Sequence, residues 1–177
     1  MQKTDFPIEL IIGEDCSTDS TRKIVLEYAE KYPDIIRPLL PESNLGMMKN
    51  FNKTMEAAKG KYIAICEGDD YWTGPFKLQK QVDFLEANRD YAICATYFSE
   101  LNGDKLISPL ISNMKYIYPT FDDIIYNNPF GTLTIMLRNK NKLVPNWLKT
   151  MPYGDWPLFA SIAANSKSVI LPLRRLS

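Results

Sequence analysis

Five residues, Tyr62-Ile63-Ala64-Ile65-Cys66, run apolar without alternation and then break into Glu67-Gly68-Asp69-Asp70-Tyr71-Trp72, with three carboxylates inside four positions. A short apolar run of this kind fits a strand covered on both faces, as in a parallel sheet flanked by helices. Such strands present ligands just beyond their carboxyl ends. Glu67, Asp69 and Asp70 are therefore expected at the rim of a crevice, where their mutual repulsion calls for a cation or a hydrogen-bonding ligand.

Histidine is absent from all 177 residues. This excludes Ser-His-Asp and Cys-His hydrolysis and His-ligated zinc or iron, and it moves acid and base work to carboxylates, Lys or Tyr. Cys16, Cys66 and Cys94 are too few for a Cys-only zinc site and odd in number for a disulfide framework; they read as small hydrophobes of a reducing cytoplasm. Any metal is expected to be a hard cation with oxygen ligands, Mg²⁺ or Mn²⁺. Basic and acidic residues balance at 21 each, with no long basic run beyond Arg174-Arg175, so nucleic acid is not expected as a partner. With 45% hydrophobic residues the chain can bury one sizeable core. No apolar stretch is long enough to span a bilayer, and the polar start from Gln2 to Asp5 lacks the pattern of a signal peptide, so a soluble cytoplasmic chain is expected.

Residues 6–12 read as a strand ended by Gly13. The following Glu14 to Thr21 segment holds three carboxylates and four hydroxyls, a composition of turns and caps. Ser17 or Asp19 is placed to cap a helix reaching about Tyr32, with Ile24, Val25, Tyr28, Ala29 and Tyr32 as its apolar face and Pro33 as its stop. Asp15 lies where a strand's carboxyl end opens, suited to the polar edge of a base or sugar. Residues 35–40, with Pro38, read as an edge strand. Asn44-Leu45-Gly46 leads into a helix over 47–59 with Met48, Phe51, Met55 and Ala58 inward and Gly60 as its cap. Lys49 and Asn50 in its first turn are placed either to reach a phosphate or base edge or simply to be solvated.

Pro75 suits the first position of a helix carrying Phe76, Leu78, Val82 and Leu85 to Asn88. Residues 91–98 read as a strand, 101–114 as a connecting loop, and Thr120 as the cap of a short helix in which Asp122 and Asp123 are first-turn charges. Residues 132–137 and 168–173 read as further strands. Asp155 opens an apolar helix to about Asn165. It serves either as that helix's cap or as a carboxylate shielded by Trp156 and Phe159 whose pKa rises toward that of a general base, and the residues alone leave these readings level.

Four segments taken together, Ile11 through Thr21, Asn44-Leu45-Gly46 with Asn50, Gly60 through Trp72, and Gly154-Asp155-Trp156, resemble in order and spacing the family 2 glycosyltransferases of the GT-A fold. The variety with Cys after the first Asp and Asp-Trp late in the chain is similar to bacterial enzymes that build surface polysaccharide. The resemblance implies an α/β, Rossmann-like, mostly parallel sheet with helices on both faces, forming a single domain over 1–177. Its 1–98 half would bind the nucleotide-sugar and its 99–177 half the acceptor. Asp15 would hydrogen-bond the nucleobase, with Lys49 and Asn50 as further nucleotide-sugar contacts. Asp69 would lie near the ribose or metal, Asp70 would bind a divalent cation, Mg²⁺ or Mn²⁺, and Asp155 would be the catalytic base of an inverting transfer. The implied partners are a nucleotide-sugar donor and a saccharide or lipid-linked acceptor, the latter met by residues 99–128, Trp147 and Trp156, and the lipid-linked case implies work at the inner face of the membrane.

Family members begin with an earlier strand, loop and helix, so the resemblance also implies an N-terminally truncated piece. Without that strand, two neighbouring strands would keep unpaired edges that self-association could cover. Two rival readings remain at this level. A metal-dependent nucleotidyltransferase would want a Gly-rich phosphate loop with Lys or Arg near the first strand, and none is visible. A non-catalytic nucleotide-sugar binder would share every residue named above.

Overall fold

Strands and helices alternate from the start of the chain: β1 (Leu10–Gly13), α1 (Thr21–Lys31), β2 (Ile36–Leu39), α2 (Met47–Ala57), β3 (Tyr62–Ala64), α3 (Lys77–Ala87) and β4 (Tyr91–Thr96). A hairpin follows, β5 (Glu100–Asn102) and β6 (Lys105–Ile107), then α4 (Phe121–Asn127), β7 (Met136–Arg138), α5 (Asp155–Ala163) and β8 (Lys167–Leu171). Short 3₁₀ turns span Thr132–Thr134 and Asn146–Thr150. The structure, a computed structural model, describes residues 2–103, 105–107, 115–140 and 143–172. The fold is α/β, and the chain divides into two compact units: Phe6–Ile63 with Asn139–Leu158, and Ala64–Arg138 with Met1–Asp5 and Phe159–Ser177.

In the first unit β1 and β2 pair in parallel, Leu10 opposite Ile36 through Gly13 opposite Leu39. Helix α2 packs on β1 so closely that a Cβ at Gly13 would stand 2.1 Å from Thr54 Oγ1 and 2.9 Å from Asn50 Oδ1, which is why the strand ends in glycine. Helix α1 ends at Lys31, ahead of Pro33, as its sequence predicts, but its expected five-residue apolar face is not buried: Val25 alone is, whereas Ile24 and Tyr28 are about half exposed. A two-stranded sheet is too narrow to cover a wider stripe of the helix.

In the second unit the strand order is β7-β4-β8. Central β4 pairs antiparallel with β7, Cys94 opposite Met136, and parallel with β8, Cys94 opposite Val169. Its apolar core includes Leu85, Ile93, Ile135, Leu137, Val169 and Phe159, all fully buried, with Phe130 edge-on to Phe159 at 6.1 Å. The run 62–66 is less enclosed than its pattern predicts: β3 is three residues long, and only Ile63 in it is buried.

Helix α3 begins at Lys77, two residues after Pro75, and that offset turns its inward face to Lys77, Leu78, Gln81 and Leu85 while Phe76 is exposed. The side chain of Gln2, not a proline, serves its first turn: Gln2 Oε1 accepts from the Leu78 N–H at 3.1 Å, and Gln2 Nε2 donates to the Gly74 carbonyl at 2.7 Å. The β5–β6 hairpin replaces the start of the loop expected over 101–114; Gly103, at φ +59° directly after β5, is the turn signal that marks it. Residues 108–114, Arg174-Arg175 and position 173 of the last expected strand lie outside the described residues.

Thr120 caps α4 as its sequence predicts. Its Oγ1 accepts from the Asp123 N–H at 3.1 Å, and the Asp123 carboxylate accepts from the Thr120 N–H at 2.9 Å, a reciprocal capping box. Thr120→Ala is expected to lower stability by about 1 kcal/mol, read as a shift in the urea midpoint; an unchanged midpoint would show the cap to be redundant.

Candidate functional site

The candidate residues divide between the units: Asp15, Lys49, Asn50 and Asp155 in the first, Asp69 and Asp70 in the second. In the first unit, three of the four are tied to the opening turns of α2. Both carboxylate oxygens of Asp15 accept backbone N–H groups there, Leu45 at 2.7 Å and Gly46 at 2.9 Å, and the Asn44 side-chain amide donates to the Asp15 carbonyl at 2.7 Å. Gly46, at φ +81°, makes this turn into the helix possible without Cβ strain. Asn50 donates to the Gly13 carbonyl at 2.8 Å, so its amide joins α2 to the end of β1, and Lys49 is exposed.

Gly154 is buried against Met48 and Phe51 of the same helix; a Cβ there would stand 2.6 Å from Met48 Cε. Asp155 follows as the first residue of α5. Of the two aromatics expected to shield it, Phe159 is buried and Trp156 is 40% exposed.

One component of this unit was not singled out by sequence. Glu14 is buried and pairs with Arg22, Nε to Oε2 at 2.5 Å, while its other oxygen accepts the Ser17 N–H at 2.5 Å. Burial alone would raise this carboxyl, but the Ser17 N–H and the guanidinium together hold it below the usual carboxylate range. Arg22 also donates to the Pro41 carbonyl at 3.3 Å, and Cys16 takes a left-handed backbone at φ +62°. A non-glycine residue in that region costs free energy and is held by its surroundings. The 14–17 loop that carries Asp15 is therefore fastened from both sides. An Arg eight positions after a Glu across a turn carries no periodic signal, which is why the pair was missed.

In the second unit the acidic segment leaves β3 as a tight turn in which the Asp70 N–H bonds to the Glu67 carbonyl at 3.2 Å. Asp69 is exposed and Asp70 partly so. Cys66 Sγ lies 3.7 Å from the Asp70 carbonyl; partial burial first, then the charge of Asp70, pushes its thiol up. Among the described residues no group of three or more His, Cys, Asp or Glu side chains gathers to hold a metal. The donor set at the turn is thus one or two carboxylates, which suits Mg²⁺ or Mn²⁺ completed by water and phosphate oxygens and does not suit a cation caged wholly by protein.

One unit carries an acidic turn after a short strand and the other a helix N-terminus tied to a loop aspartate, both within the α/β class that the sequence resemblance implies. The profile named Glycosyl transferase family 2 matches residues 1–144, and the chain belongs to that family. It is 35% identical over 175 residues to an uncharacterized protein of Mycobacterium tuberculosis, covering 97% of this chain and 49% of that one. It is 38% identical over 133 residues to the putative teichuronic acid biosynthesis glycosyltransferase TuaG of Bacillus subtilis, covering 73% of this chain and 50% of that protein. Among solved structures, S. aureus TarS 1-349 superposes with a TM-score of 0.66 at 22% identity, over 97% of this chain and 51% of that one. The mannosyltransferase PcManGT of Pyrobaculum calidifontis, in complex with GDP-Man and Mn²⁺, gives a TM-score of 0.66 at 17% identity, over 96% and 48%. The chain therefore spans about half the length of the curated relatives named here. Among the described residues no helix is long and apolar enough to cross a membrane.

Proposed function

We propose that this chain carries the donor-binding machinery of an inverting glycosyltransferase, which moves a sugar from a nucleoside-diphosphate sugar to an acceptor hydroxyl in the assembly of surface polysaccharide. The observation that carries the reading is the pairing of the family match over 1–144 with an exposed acidic turn directly after β3. Displacing a nucleoside diphosphate from an anomeric carbon builds negative charge on the leaving group. A divalent cation bound at Asp70, with help from Asp69, would neutralise that charge. Mn²⁺ accompanies a GDP-sugar in the mannosyltransferase neighbour, which favours Mg²⁺ or Mn²⁺ here.

The chain's own residues account for the rest. Asp15 retains a lone pair on each carboxylate oxygen beyond the two N–H groups it already accepts, so it receives a nucleobase N–H without releasing α2. Lys49 and Asn50, in the first turn of α2, lie where a helix N-terminus favours anionic oxygens. Asp155 accepts the proton of the acceptor hydroxyl as that oxygen attacks the anomeric carbon from the face opposite the leaving diphosphate. A single displacement of this kind inverts the anomeric centre. The acceptor is a saccharide or a lipid-linked saccharide, reached from the cytoplasmic side of the membrane.

Calorimetric titration of UDP and GDP into the protein, with and without Mn²⁺, tests the reading. Nucleotide binding is expected to require the metal, and Asp70→Asn to weaken it by at least about tenfold. Metal-independent binding that Asp70→Asn leaves untouched would refute Asp70 as the cation ligand.

A further inference from the structure

Lys77 is held where an ammonium is costly. It is 6% exposed at the start of α3, and among the described residues no carboxylate pairs with it. Its Nζ donates to Gln81 Oε1 at 2.8 Å and lies 4.5 Å from the centroid of the Trp72 ring. Gln81 is itself fully buried and donates to the carbonyls of Cys94 at 2.6 Å and Thr134 at 2.9 Å. The Trp72 indole N–H donates to the Leu133 carbonyl at 2.8 Å.

These contacts flank the acidic turn along the chain. On its near side the Ile65 N–H bonds to the Ile135 carbonyl at 3.2 Å, and on its far side Trp72 is fixed to Leu133 and covered by Lys77. Asp69 and Asp70 lie between two points anchored to the same short segment, 133–135. An apolar side chain would fill the position of Lys77 without the desolvation cost of a cation. What it would lack is attraction to the face of an indole, which is strongest when the cation is desolvated.

We propose that Lys77 is a positioning residue for the acidic turn: oriented by Gln81, its ammonium clamps the Trp72 ring and thereby holds Asp69 and Asp70 in one geometry for a divalent cation. The inference rests on the reading of Asp70 as a cation ligand. It also explains the i,i+4 placement of Lys77 and Gln81 on the inward face of α3, where apolar residues are the rule.

The test compares the parent chain, Asp70→Asn and Lys77→Met, with Mn²⁺ binding followed by loss of the free-ion electron paramagnetic resonance signal in the presence of UDP. Lys77→Met is expected to raise the Mn²⁺ dissociation constant by about 10–100-fold, as residues that orient ligands do, while its thermal melt stays cooperative. Near-parental Mn²⁺ affinity in Lys77→Met beside weakened binding in Asp70→Asn would overturn the clamp alone. Parental affinity in both variants, or no binding by the parent, would overturn the cation reading and the clamp with it. A metal-free readout comes from chains carrying Trp147→Phe and Trp156→Phe, in which Trp72 is the remaining indole. Acrylamide quenching of Trp72 is expected to increase in Lys77→Met, and unchanged quenching would also overturn the clamp.

Discussion

Between pH 7 and pH 10 the parent chain is expected to gain roughly 3–4 kcal/mol of stability relative to Lys77→Met. Burial pulls the Lys77 amine down to about 7, with the neighbouring Cys94 and Cys66 thiols opposing the shift only in part. An unfolded lysine titrates near its ordinary value, about 10.4. Below pH 7 both states are protonated and the full penalty of burying the charge weighs on the native state. Between the two pKa values the unfolded chain holds the proton more tightly, so stability rises with pH, and above both the penalty is gone. Burial pushes the Cys94 thiol up to about 12, against a partial opposing pull from Lys77; without Lys77 it would lie higher still, so it stays protonated in both native chains up to pH 10 and drops out of the difference. So does the constant cost of leaving Gln81 Oε1 without its donor in the variant. Urea unfolding of both chains at pH 7, 8.5 and 10 measures the effect. A difference that stays flat with pH would mean that Lys77 titrates as an ordinary exposed lysine.

Asp155→Asn is expected to reduce sugar transfer by about 10²–10⁴-fold, the usual contribution of a positioned general base, while leaving nucleotide affinity near that of the parent. Asparagine is nearly isosteric, and losing one carboxylate from the first turn of a helix costs at most about 1 kcal/mol, so α5 and the seat of Gly154 on Met48 and Phe51 should persist. Any loss is then assignable to proton transfer. Steady-state transfer from a panel of UDP- and GDP-sugars, with binding measured in parallel, separates the outcomes. Full turnover by the variant would remove Asp155 from the chemistry, and loss of nucleotide affinity would recast it as a structural residue.

The residues that make local statements were legible in the sequence. Gly13 ends a strand, Pro33 follows the end of a helix, Thr120 caps another, and each does so through contacts within a few residues or through the absence of a side chain. The acidic turn was legible for the same reason, since charge crowding over 67–70 is visible without a partner. What the sequence hid depends on distant segments. Gln2 serves a helix 76 positions away in the chain, Arg22 neutralises a glutamate across a turn, and Gln81 fills a slot defined by the carbonyls of Cys94 and Thr134. Phe76 was misplaced inward because helix phase depends on where the first turn closes, and that is set by Gln2. Of the two aromatics beside Asp155 in the sequence, Phe159 is fully buried and Trp156 is not.

The interleaving of the two units bears on how the chain is made. The central strand β4 pairs with β8, Cys94 opposite Val169, so about 75 residues must be synthesised before that edge is covered. At about 5–20 residues per second, an apolar strand edge stays open on the ribosome for roughly 4–15 s. Neither unit can fold to completion as its own sequence emerges, because each waits for a segment encoded after the other has begun. Slower translation would lengthen that exposure, whereas a lower temperature that weakens hydrophobic association would soften its consequences. The exposure of that edge is therefore set by the timing of β8, far downstream of the residues proposed to bind the nucleotide-sugar.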